Sequence, residues 1–100
     1  MNAVAKSSST LVVNTPAEIT AVNAGAVKKH IQDSLKEEHT RVELRMQGTR
    51  FIDSSGLGVL VYLNKQMSAR GGSVRLKEPA RGVLQVLQMT RMTHMFEILP

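Results

Sequence analysis

The ten residues Phe51-Ile52-Asp53-Ser54-Ser55-Gly56-Leu57-Gly58-Val59-Leu60 follow an alternating segment (Val42, Leu44, Met46) and open an amphipathic one (Leu57, Leu60, Val61, Asn64, Met67). Alternation of period two marks a strand and spacing of three or four marks a helix, so the passage reads strand, tight turn, helix. A helix start leaves backbone N–H groups without acceptors, and Asp, Ser and Gly satisfy or tolerate them there. The same end of a helix favours negative charge, so a phosphate attached at this turn would be locally welcome. A small domain that presents a serine there can act as a switch.

Outward from this turn, Arg41 to Gln47 is the clearest strand, with Val42, Leu44 and Met46 on one face and Arg41, Glu43, Arg45 and Gln47 on the other. Such alternation predicts a sheet with helices on one face and water on the other, because a doubly covered parallel strand is nearly all apolar. Upstream, Leu11-Val12-Val13 forms a short strand, and residues 1–9, small and polar without periodicity, are expected to be a flexible tail before a domain at 10–100. Thr15-Pro16-Ala17-Glu18 has the form of a capping box, yet Glu18 to Val22 alternates. The stripe Ala24, Val27, Ile31, Leu35 therefore sets the first helix, starting between Thr20 and Asn23 and ending near Glu37.

Downstream, the second helix runs from about Ser55 to Arg70 and stops at Gly71-Gly72. Val74 and Leu76 mark another strand. Pro79 opens a third helix with Val83, Leu84, Val86 and Leu87 inside, and Phe96-Glu97-Ile98 is a last strand. Met89, Met92 and Met95 are expected to fill the core. Right-handed crossovers then give an α/β domain, a mainly parallel sheet of about four strands with its helices packed on one face.

One hundred residues make one domain, and 42% hydrophobic with 21% charged residues is ordinary globular composition. The absence of cysteine excludes disulfides and thiolate metal sites. No run approaches the roughly 18 apolar residues of a membrane span, and no secretory leader is legible, so a cytoplasmic monomer without membrane insertion is expected. The net charge of +5 is spread over Lys28, Lys36, Arg41, Arg50, Lys65, Arg75, Arg81 and Arg91, with only three aromatics, Phe51, Tyr62 and Phe96. That suits an acidic protein partner better than a nucleic acid. His30, His39 and His94 lack metal-ligand spacing and read as surface or half-buried residues. The turn lacks the first glycine of a G-x-S-x-G elbow, and no G-K-[ST] follows Gly56-Leu57-Gly58, so neither catalysis nor a cofactor is expected.

On these residues the chain resembles the STAS domain, and within it the bacterial anti-sigma factor antagonists. Phe51 to Leu60 is similar to that family's phosphorylation-site signature almost letter for letter. Glu18 to Ala24 resembles its first strand-to-helix passage, and Val83 to Thr90 with Met95 to Ile98 its closing helix, turn and strand. Three departures stand beside the match: no obvious first edge strand, no final helix after Leu99, and Arg91 where the turn often has glycine. The resemblance implies a non-enzymatic protein whose unphosphorylated form binds an anti-sigma factor, a GHKL-type ATP-dependent serine kinase, and so frees a sigma factor. It implies phosphorylation of the serine directly after the aspartate, Ser54, with Ser55 second, and a metal-dependent serine phosphatase that reverses it. The alternative within the family is an accessory subunit of a membrane transporter, for example in lipid transport.

Two local questions stay open in the sequence. On local sequence alone Ser54 reads as a plain N-cap, where the resemblance implies a phosphoacceptor, and Asp53 reads as either a capping residue or one that orients the hydroxyl. Ser55, Gly58, Val59 and Tyr62 project together from the second helix, away from its Leu57, Leu60, Val61, Asn64 stripe. With Asp53, Ser54 and Gly56 they are the candidate partner-binding residues; the other reading packs Val59 and Tyr62 under a neighbouring segment.

Overall fold

The computed structural model describes residues 2–7 by backbone path and residues 9–100 in full. The elements are β1 (Asn2–Ser7), β2 (Thr10–Asn14), β3 (Glu18–Ile19), α1 (Ala24–Ser34), β4 (Arg41–Arg45), β5 (Phe51–Ile52), α2 (Ser54–Ala69), β6 (Ser73–Lys77), α3 (Arg81–Met89) and β7 (Glu97–Leu99), with one 3₁₀ turn at Thr93–Met95. The main sheet has the order β1-β2-β4-β6-β7. The last four strands are parallel, and β1 pairs antiparallel with β2. Each crossover steps one strand further in the same direction, so right-handed connections put all three helices on one face.

Register lines the core up in two rows across the strands, Leu11–Val42–Val74 and Val13–Leu44–Leu76–Ile98. Val13, Val42, Leu44, Val74 and Leu76 are wholly buried beneath the helices. The opposite face carries the row Val12–Glu43–Arg75–Glu97. Glu43 is buried there, its carboxylate bridged by Arg75 Nη1 and Arg45 Nε at 3.2 Å each, while Arg75 Nε reaches Glu97 at 2.9 Å. The hydrogen bond that Arg75 donates to Glu97 does most to hold its guanidinium above its ordinary pKa; desolvation opposes it, and the hydrogen bond donated to Glu43 and the charges of both carboxylates add to it.

Several expectations are corrected. Most of residues 1–9 is an edge strand rather than a tail: Asn2 to Ser7 pair with Thr10 to Asn14, with a register shift between Ala5 and Ser7. The unpaired outer edge of β2 supplies the reason, and Ala, Asn, Lys and Ser carry too little strand propensity to announce it. α1 ends at Ser34, where Leu35 turns extended. α2 buries Gly56, Val59, Leu60, Leu63 and Met67, a face rotated from the expected one. Met89 is 83% exposed, whereas Met92 and Met95 do pack against the core, and His39 is buried with its Nδ1 accepting the Lys36 N–H. Phe51 and Ile52 do not extend β4 but form a separate two-residue ladder with β3.

Two turns behave as their sequences suggest. Gly71 is left-handed, at φ 75°, and Gly72 has no room for a side chain, since a Cβ would lie 1.5 Å from the Thr40 carbonyl oxygen. After α3, Arg91 takes the left-handed conformation at φ 57°, the position where a glycine would be unstrained.

Candidate functional site

The β3–β5 ladder builds the turn that precedes α2. The buried Thr49 hydroxyl donates to the Pro16 carbonyl, Arg50 N–H reaches the Ala17 carbonyl at 2.8 Å, and Asp53 N–H reaches the Ile19 carbonyl at 3.3 Å. Ile52 is thereby driven into the core and Phe51 outward, because successive strand residues face opposite ways. Asp53 arrives at the helix start in an extended conformation, as an N-cap requires.

Asp53, and not Ser54, caps the helix. Its Oδ1 accepts the N–H groups of Ser55 at 2.8 Å and Gly56 at 3.0 Å, and its Oδ2 accepts the Ala21 N–H at 3.0 Å. The Gly56 amide does most to hold this carboxyl below its ordinary value; desolvation opposes it, and the Ala21 and Ser55 amides add to it. Ser54 is the first residue of α2 and is exposed; among the described residues nothing bonds to its hydroxyl, including Asp53. The serine is left free because the aspartate has taken the structural task. Gly56 is buried and obligatory, since a Cβ there would meet the Ile19 carbonyl oxygen at 2.2 Å.

The candidate partner residues separate on inspection. Ser55, Gly58 and Tyr62 do share a shallow groove between α1 and α2, with Ala24, Gly25 and Lys28 on its other side. Val59 forms part of the groove floor but is 5% exposed and belongs to the core, which corrects its placement on an outward patch. The reason is α1, which packs on that side of α2, a neighbour that the periodicity of α2 does not reveal. Tyr62 is half-buried, its hydroxyl accepting from Gln32 Nε2 and its ring 3.8 Å from Lys28 Nζ. Two exposed apolar side chains went unnoticed in the sequence: Val22, 96% exposed on the turn tied to Asp53, and Phe51, 49% exposed two residues before it. The outward half of the Phe51-Ile52 alternation was the available signal. Among the described residues no group of three His, Cys, Asp or Glu could hold a metal ion, and no helix is long and apolar enough to cross a membrane.

Comparison with known proteins follows the same lines. The STAS domain family profile matches residues 2–100. A Thermotoga maritima protein provisionally named an anti-sigma factor antagonist is 32% identical over 82 residues, spanning 81% of this chain and 73% of its own. The crystal structure of a Thermotoga maritima protein of the same provisional designation superposes with a TM-score of 0.82 at 27% identity, covering 91% of this chain and 79% of that one. The anti-sigma factor antagonist SpoIIAA in its unphosphorylated form shares the fold, with a TM-score of 0.83 at 18% identity over 99% of this chain and 87% of its own. The phosphorylated form of SpoIIAA, from Bacillus, gives 0.77 at 17% identity over 99% and 90%.

Proposed function

This chain belongs to the STAS domain family, among the anti-sigma factor antagonists, and from that premise we propose that it is a binding switch controlled at Ser54. Unphosphorylated, it docks on an anti-sigma factor of the GHKL ATPase type and releases the sigma factor that partner held. The partner, acting as a kinase with ATP, transfers the γ-phosphoryl group to the Ser54 oxygen, and docking is lost. A metal-dependent serine phosphatase resets the cycle, all of it in the cytoplasm. The relatives' designations favour this regulator over a transporter subunit.

The observation that carries the reading is the free, exposed Ser54 hydroxyl beside a capping aspartate. A kinase reaches it without breaking any hydrogen bond among the described residues. Phosphorylation adds about −1.5 to −2 charges, which the start of α2 tolerates, so the fold is retained. The penalty falls on the interface, where the new charge adds to that of the adjacent Asp53. Like-charge juxtaposition costs several kcal/mol, and about 1.4 kcal/mol is tenfold in affinity, so a loss of hundreds-fold needs no refolding. Incubation with the cognate kinase and ATP, read by mass spectrometry, should give one phosphate on the wild type and none on Ser54→Ala. Modification that persists in Ser54→Ala would sink the assignment and point to Ser55.

A further inference from the structure

The two oxygens of Asp53 serve different segments. Oδ1 caps α2 through Ser55 and Gly56, while Oδ2 holds the Ala21 N–H in the turn between β3 and α1. The turn's other hydrogen bonds stay between β3 and the first turn of α1: Thr20 N–H to Asn23 Oδ1 at 2.9 Å, Asn23 Nδ2 to the Glu18 carbonyl at 2.8 Å, Val22 N–H to Thr20 Oγ1 at 3.3 Å, the Asn23 and Ala24 N–H groups to the Thr20 carbonyl at 3.1 and 2.8 Å, and Val27 N–H to the Asn23 carbonyl at 2.9 Å. Among the described residues, the Asp53 bond is the one hydrogen bond that joins residues 20–23 to anything beyond the β3 and α1 segments on either side of them. Val22, at 96% exposure, has no packing to fix its position either. The tie between this turn and the start of α2 therefore runs through one carboxylate oxygen.

We propose that Asp53 is the positioning residue of the docking surface: it clips the Val22 turn to the start of α2, so that Val22, Phe51 and Ser54 are presented to the partner as one preformed patch. The proposal rests on the reading of the Ser54 face as the docking site. Preorganisation matters there because ordering a loose turn at the moment of binding subtracts from affinity. Asparagine separates this role from capping. It keeps the size of the side chain but has a single acceptor oxygen, and its amide group cannot accept the Ala21 N–H. Two helix amides outcompete one loop amide for that oxygen, so Asp53→Asn keeps the cap and releases the clip.

The test is amide hydrogen exchange by NMR on the full chain, wild type against Asp53→Asn, followed by affinity for the purified cognate GHKL-type kinase with Ser54 unmodified. Ala21 exchange should accelerate about tenfold or more, with Ser55 and Gly56 little changed and the core amides of Val13 and Leu44 unaltered as the control for folding. Kinase affinity should fall by about tenfold, as expected for a surface that must now be ordered on binding. Unchanged Ala21 exchange overturns the proposal, and so does unchanged affinity once Ala21 has been released. A kinase that ignores the wild type as well would remove the docking reading instead, leaving the exchange comparison to decide the clip by itself.

Discussion

Asp53 and Ser54 divide two tasks that either residue could have performed: one carboxylate satisfies the helix start, and the neighbouring hydroxyl is spared. Because amide hydrogen bonds lower the folded pKa of Asp53, its contribution to stability is complete above the ordinary carboxyl value of 3.8 and fades as the pH falls below that value through the folded pKa. The stability gap between wild type and Asp53→Ala, from urea titrations, should accordingly stay constant above about pH 5 and close under acid. The glycines of α2 respond in opposite directions. Gly56→Ala drives a methyl against the Ile19 carbonyl and should cost about 1–3 kcal/mol. Gly58→Ala meets nothing within 4 Å and should gain about 0.5–1 kcal/mol, the usual difference between the two residues in a helix. Urea unfolding of the two variants reads both signs.

Among the elements, α2 shows how far periodicity reaches. Leu57 to Leu63 is apolar on nearly every side, so the spacing announces a helix but does not say which residues face the sheet and which face α1. Spacing alone leaves Val59 either on an outward patch or packed under a neighbouring segment, and the structure buries it. The boundary set by backbone chemistry was legible, Gly71-Gly72 ending α2; the turn at Arg91 was implied by the resemblance, and there the residue is left-handed after α3 and Met92 N–H closes on the Leu87 carbonyl at 2.8 Å. Relieving that conformation with Arg91→Gly should raise stability by about 0.5–1 kcal/mol, the penalty of a side chain at positive φ less the flexibility glycine adds to the unfolded chain. Thermal denaturation with a higher midpoint would meet the expectation.

Across the whole molecule, the helix-free face of the sheet carries a row of charges in which Glu43 is buried while Arg45 and Glu97 stay about half exposed. Glu43 keeps 3% of its side chain exposed and is neutralised by Arg75 and Arg45, with Glu97 continuing the row. Removing one cation leaves a buried carboxylate short of compensation, so Arg75→Met should cost about 2–3 kcal/mol, and the double variant Glu43→Leu/Arg75→Met should cost less than the single one. Equal losses in urea titrations would mean the carboxylate does not depend on Arg75. The sequence by itself determined the α/β class, the parallel strands and the serine-bearing turn, because alternation, capping chemistry and glycine stops are local properties of neighbouring residues. Only the tertiary structure decided that β1 closes the edge of β2, that Glu43 is buried, that Val59 belongs to the core, and that one aspartate joins the Val22 turn to the serine's helix. Each of those depends on which distant segment lies alongside, and the free energy of a contact between remote segments is written in no single stretch of the chain.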